Sequence, residues 1–73
     1  MLVSVNKDNM VFKLHSMTGC ERRSTLELIK RQQEAGNIVI ATLTTTGITV
    51  KAPKDIMYTL LYKLSNHYDI ELM

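Results

Sequence analysis

Apolar residues recur along this chain with two different periods, and the changes between them divide it into short elements. Leu2, Val3 and Val5 predict a strand over residues 1–5, and Asn6-Lys7-Asp8-Asn9 supplies turn formers. Met10, Phe12 and Leu14 then alternate with Val11, Lys13 and His15, the period of two that marks a half-buried strand over residues 10–15. The short connection makes an N-terminal hairpin the simplest reading.

The period then lengthens. Two capping boxes compete to start a helix, Thr18 with Glu21 and Ser24 with Glu27; in each a hydroxyl serves a free backbone N–H and the glutamate reaches back. The helix is predicted over residues 21–35, with Gly36 stopping it in a left-handed conformation. Its apolar stripe is thin (Leu26, Leu28, Ile29 and Ala35), so it buries one narrow face. Residues 37–43 follow, with Ile38, Val39 and Ile40 consecutive and β-branched, which predicts a central strand buried on both faces. Thr44-Thr45-Thr46-Gly47 reads as a turn with Gly47 at positive φ, and residues 48–52 return as its partner strand. Pro53 suits the first turn of a second helix running to about residue 66, in which Ile56, Met57, Leu60, Leu61 and Leu64 form a broad apolar face. Residues 68–72 alternate again; whether 69–72 form a last strand is left open.

These elements predict a single α+β domain over residues 1–73 in ββαββ(α) order. Its mostly antiparallel four-stranded sheet would carry both helices on one face. With Ile38 and Ile40 turned to the helices, Val39, Ala41 and Leu43, joined by Val11, would form an apolar patch on the open face. Such a patch points to a partner, and this face or an edge strand is expected to pair with another chain, the β edges serving self-association.

Composition narrows the picture. A chain of 73 residues has room for one domain, and domains this small often need a staple. Cys20 is the only cysteine, so no disulfide forms within the chain, and a reducing compartment, the cytoplasm, is expected. Cys20, His15 and His67 fall short of the four ligands of a closed zinc site, so neither metal nor cofactor is expected. No apolar stretch approaches the roughly 20 residues that span a bilayer, and the first residues lack the form of a signal peptide. The net charge of +2 is too small to imply nucleic acid by itself.

Catalytic chemistry finds little support. His15 and Cys20 lie close in sequence, but no third residue orients the imidazole and no glycine-rich oxyanion signature accompanies them, so the chain is read as non-enzymatic. Thr44, Thr45, Thr46 and Gly47 offer hydroxyls and backbone N–H groups to a phosphorylated ligand, though no lysine follows the glycine as in a phosphate loop. On the first helix, Arg23, Glu27, Lys30, Arg31 and Glu34 are spaced to pair with one another. Arg22 and Arg23 are the least compensated cations and sit at the end of the helix dipole that disfavours them. Tyr58 and Tyr62 flank the second helix, where their large rings and polar tips suit an interface. Arg22, Arg23, Tyr58 and Tyr62 are therefore the candidate partner-binding residues.

The segment Gly47-Ile48-Thr49-Val50-Lys51-Ala52-Pro53-Lys54-Asp55-Ile56, between strand and helix, resembles the C-terminal half of the small messenger-RNA interferase toxins of the HicA type. The resemblance covers this short stretch alone and implies a double-stranded-RNA-binding-like fold. That family carries a glycine-serine-histidine stretch on the preceding strand, and Ala41-Thr42-Leu43 has no histidine to match it. Ribonuclease activity through that histidine is therefore not implied, and RNA binding is what remains. The sequence as a whole leads to a small interaction or regulatory protein, of the kind mobile elements use as inhibitors, that binds another macromolecule as a homo-oligomer. The alternatives are a nucleic-acid-binding domain and a protein that sequesters a small phosphorylated ligand.

Overall fold

The computed structural model describes all 73 residues. The chain runs β1 (Leu2–Val5), β2 (Asn9–Lys13), α1 (Gly19–Glu34), β3 (Ile40–Leu43), β4 (Gly47–Lys51), α2 (Lys54–Ser65) and β5 (Glu71–Leu72), with one 3-10 turn over Leu14–Ser16. The strands form one sheet in the order β3-β4-β2-β1-β5. Every pairing is antiparallel except that of β1 with β5. The α+β architecture expected from the sequence is present, but the sheet has five strands, not four, because the tail returns to lie parallel to β1. Glu71 N–H donates to Met1 C=O and Met73 N–H to Val3 C=O, both at 2.9 Å.

Register explains the core. Val3 faces Phe12, Val5 faces Met10, and β2 sets Met10 against Val50 and Phe12 against Ile48. Directly paired residues point to the same face, so these side chains form one apolar surface. Ile29 of α1 and Met57, Leu60 and Leu64 of α2 cover it from the same side. No buried side-chain nitrogen or oxygen lacks a hydrogen-bond partner.

The helix ends show which local signals prevailed. Of the two capping boxes, that of Thr18 forms: Glu21 N–H donates to Thr18 Oγ1 at 3.1 Å and Thr18 N–H to Glu21 Oε1 at 2.7 Å. The helix therefore begins at Gly19, two residues earlier than expected. Its other end closes as a Schellman motif, with Asn37 N–H on Gln32 C=O, Gly36 N–H on Gln33 C=O, and Gly36 at φ 90°. Ser24, released from capping, instead meets the tail, where its Oγ lies 2.9 Å from Tyr68 Oη. On the buried stripe of α1, Thr25 replaces Leu26 and Ala35, which are exposed; its hydroxyl donates to Glu21 C=O at 2.8 Å. The ion pairs available along α1 stay open, and the chain's one ion pair joins the Met1 ammonium to Glu21 at 3.9 Å.

β2 ends at Lys13 rather than residue 15. Ser16 Oγ accepts from Leu2 N–H at 2.8 Å and donates to Lys13 C=O at 2.7 Å, which bends Leu14–Ser16 out of the sheet.

Two expectations for the second hairpin are overturned. β3 is an edge strand, exposed along its whole length, and not a central one. Its facing is also the reverse of that expected: Val39 joins the core, Ala41 and Leu43 pair with Val50 and Ile48 on the helix side, and Ile40 pairs with Lys51 on the open face. Three consecutive apolar residues do not fix the parity of a strand, and here it is set after the α1 cap, where Gln33 Nε2 donates to Val39 C=O at 3.0 Å. The open face carries Leu2, Ser4, Asn9, Val11, Lys13, Ile40, Thr42, Thr49 and Lys51, so of the patch expected from Val39, Ala41, Leu43 and Val11 only Val11 lies there. Gly47 does not take positive φ. It is required because a Cβ there would stand 2.5 Å from Phe12 O, a backbone atom that cannot yield cheaply.

Gly47→Ala is accordingly expected to destabilise the fold by about 2 kcal/mol or more, as overpacking does, with urea unfolding followed by circular dichroism as the measurement. Tyr68→Phe and Ser24→Ala should each cost about 1 kcal/mol, and the double variant hardly more than either alone, because both remove the same hydrogen bond.

Candidate functional site

Two features could engage a ligand or partner: a groove between the helices and the free edge of β3. The groove runs where α1 and the C-terminal end of α2 lie side by side. It encloses about 580 Å³ and is lined by Ser24, Glu27, Leu28 and Arg31 from α1 and by Lys63, Leu64, Asn66, His67 and Tyr68 from α2 and its exit. Residues 24, 27, 28 and 31 share one face of α1 through three- and four-residue spacing. Leu28 and Leu64 supply apolar lining, and Leu64 belongs to the core. Around them stand Arg31, Lys63 and His67 against a single carboxylate, Glu27. Glu27 and Arg31 are one helical turn apart yet form no ion pair, so the guanidinium remains available. The rings of His67 and Tyr68 meet edge to face, 6.4 Å apart.

The β3 edge is of a different character. From Ala35 to Val50 the chain has no charged residue. Ile38, Ile40 and Leu43 are 78%, 58% and 63% exposed. Thr44 N–H donates to Gly47 C=O at 2.9 Å, and from there the alternation of an antiparallel ladder turns the N–H and C=O groups of Ala41 and Leu43 outward. Val39 C=O is the outward group already taken, by Gln33. Native edges are usually blunted by lysine, proline, a bulge or brevity. β3 has no lysine and no proline, and it is twice the length of β5 at the opposite edge.

The residues singled out from sequence lie on the expected helices but away from the groove. Arg22 and Arg23 are exposed in the first turns of α1, and Tyr58 and Tyr62 are exposed on α2. None of the four lines the interhelical groove. Tyr62 lines a separate depression with Leu61, Ser65, Ile70 and Leu72, on the side toward β5. The Thr44–Gly47 turn is satisfied from within: Thr44 Oγ1 accepts from Gly47 N–H at 3.1 Å and Thr46 N–H at 3.3 Å. Two of the backbone donors that a phosphate would use there are thus engaged within the turn. Cys20 is exposed in the first turn of α1, and His15 is exposed in the 3-10 turn before it.

Sequence reasoning missed the convergence of Arg31, Lys63 and His67. Their spacing was readable, with Lys63 and His67 four apart, but only the antiparallel packing of the two helices brings the faces together. No helix is long and apolar enough to cross a membrane. Comparison with known proteins finds no match: no protein-family model, no curated protein and no solved structure is significantly similar to this chain.

Proposed function

We propose that this is a small non-enzymatic interaction protein whose working unit is a homodimer built through β3. The observation that carries the reading is the edge itself: an uncharged apolar strand, exposed, with backbone donors and acceptors unpaired at Ala41 and Leu43. An extended strand added there supplies their hydrogen bonds and covers Leu43. A second copy is the occupant favoured by symmetry. Antiparallel pairing of a strand with itself brings like residues together, which is costly for charged side chains and free of that cost for a segment with none.

A two-fold axis at Ala41 uses the outward groups of Ala41 and Leu43 and the Val39 N–H, with Leu43 N–H of the second copy sharing the Val39 C=O that Gln33 also engages. Ala41 then faces its own copy, and Val39 faces the partner's Leu43, on the helix side of a sheet continuous through both molecules. The core of a domain this small gains from such an extension. Each copy keeps its α2 surface, with Tyr58 and Tyr62, free for a further macromolecule, and Arg22 and Arg23 add positive charge at the start of α1.

Sedimentation equilibrium should give twice the 8.3 kDa chain mass. Ala41→Pro removes an outward N–H that the monomer's own ladder does not use, and proline is tolerated on such an edge. Leu43→Lys places a charge against the pairing strand. Both variants should remain folded and sediment as monomers. A wild-type monomer, or a dimer that survives both changes, would refute the β3 interface. Mass that rises without limit as concentration increases would instead indicate head-to-tail pairing and exclude the two-fold arrangement.

A further inference from the structure

We propose that the interhelical groove binds a single nucleotide, either a nucleoside monophosphate or the phosphorylated terminal nucleotide of a strand. This site is separate from the β3 edge and does not depend on dimerisation. The volume of about 580 Å³ lies within the range of small-molecule sites, roughly 300–1,000 Å³. The lining has two unlike parts. Leu28 and the Tyr68 ring, both half-buried, suit the flat face of a base, over a floor closed by the buried Leu64. Arg31 and Lys63 offer the fork and the point charge that phosphate oxygens accept, and the His67 imidazole can add an N–H donor.

These groups are uncommitted. Arg31, Lys63 and His67 take part in no ion pair, and none of their side chains donates a hydrogen bond within the chain. The hydroxyls of Ser24 and Tyr68 share one hydrogen between them, which leaves the other free to point to a ligand.

Glu27 decides the class of ligand. It opposes a bare anion, as does the carbonyl end of the α2 dipole. Two cations are needed to outweigh them, so the phosphate depends on Arg31 and Lys63 together. A carboxylate in the same groove also favours a ligand that carries donors at some distance from its phosphate. A nucleobase with an exocyclic amine and a phosphate at the far side of its sugar has both parts.

The test is a titration of the isotopically labelled full chain, followed by amide NMR shifts, with adenosine monophosphate as the probe. Adenosine and inorganic phosphate are the controls. The monophosphate is expected to move the amides of Ser24, Leu28, Arg31, Lys63, His67 and Tyr68 together, and to bind about tenfold or more tightly than either control. Arg31→Glu with Lys63→Glu should abolish these shifts without changing the melting temperature, since both side chains are exposed. Arg31→Lys with Lys63→Arg should retain them. A 5′-phosphorylated oligoadenylate that binds more tightly than its 5′-hydroxyl counterpart, and more tightly than the monophosphate, would assign the nucleotide to a strand end; weaker binding would assign it to the free monophosphate. The proposal is overturned if the monophosphate and the phosphorylated strand both leave the groove amides unmoved, if shifts persist in the double-glutamate variant, or if inorganic phosphate binds as well as the nucleotide.

Discussion

β2 is hydrogen-bonded on both sides, to β1 and to β4, and this double pairing joins two hairpins that local sequence would form separately. The β1–β2 hairpin and the β3–β4 hairpin each have one apolar face and neither is stable alone. Pairing β2 with β4 sets Met10 and Phe12 beside Val50 and Ile48 and creates a surface broad enough for two helices. The join is also close, because Gly47 passes the Phe12 carbonyl where no side chain fits. A slip of one residue between β2 and β4 would turn Ile48 and Val50 to the open face while Met10 and Phe12 kept the core side.

What could be read from sequence follows from how local each determinant is. Pro53 and the four-residue repeat of Met57, Leu60, Leu61 and Leu64 are contained within one helix, and α2 forms nearly where they place it. Gly36 likewise ends α1 through its own backbone. The choice between the Thr18 and Ser24 boxes was not local, since Ser24 has a partner in Tyr68, 44 positions away. The position of β3 was misread for a similar reason. A run such as Ile38-Val39-Ile40 shows that a strand is apolar but not what lies on either side of it, and burial was assumed where the edge provides none.

The candidate sites were less legible than the fold. Cationic and aromatic residues on one helix can be recognised by spacing, as Arg22, Arg23, Tyr58 and Tyr62 were. A groove is a property of two helices, and its members Ser24, Arg31, Lys63 and Tyr68 acquire meaning only when α1 and α2 are packed. The threonine-rich turn shows the reverse case: the Thr44 hydroxyl, which looks available in sequence, is consumed by the turn that it builds.

The parallel pairing of β5 with β1 has a consequence for how the molecule assembles. The hydrogen bonds from Glu71 to Met1 and from Met73 to Val3 each join positions 70 residues apart, so they close the longest loops in the fold and must wait for most of the chain to be ordered. Until then the four-residue β1 is itself an uncovered edge, where the finished molecule presents only the two-residue β5 on that side. The brief interval before the tail docks is when crowded copies are most prone to join in the wrong order, and a synthesis rate slow enough to keep nascent chains apart would favour the closed form.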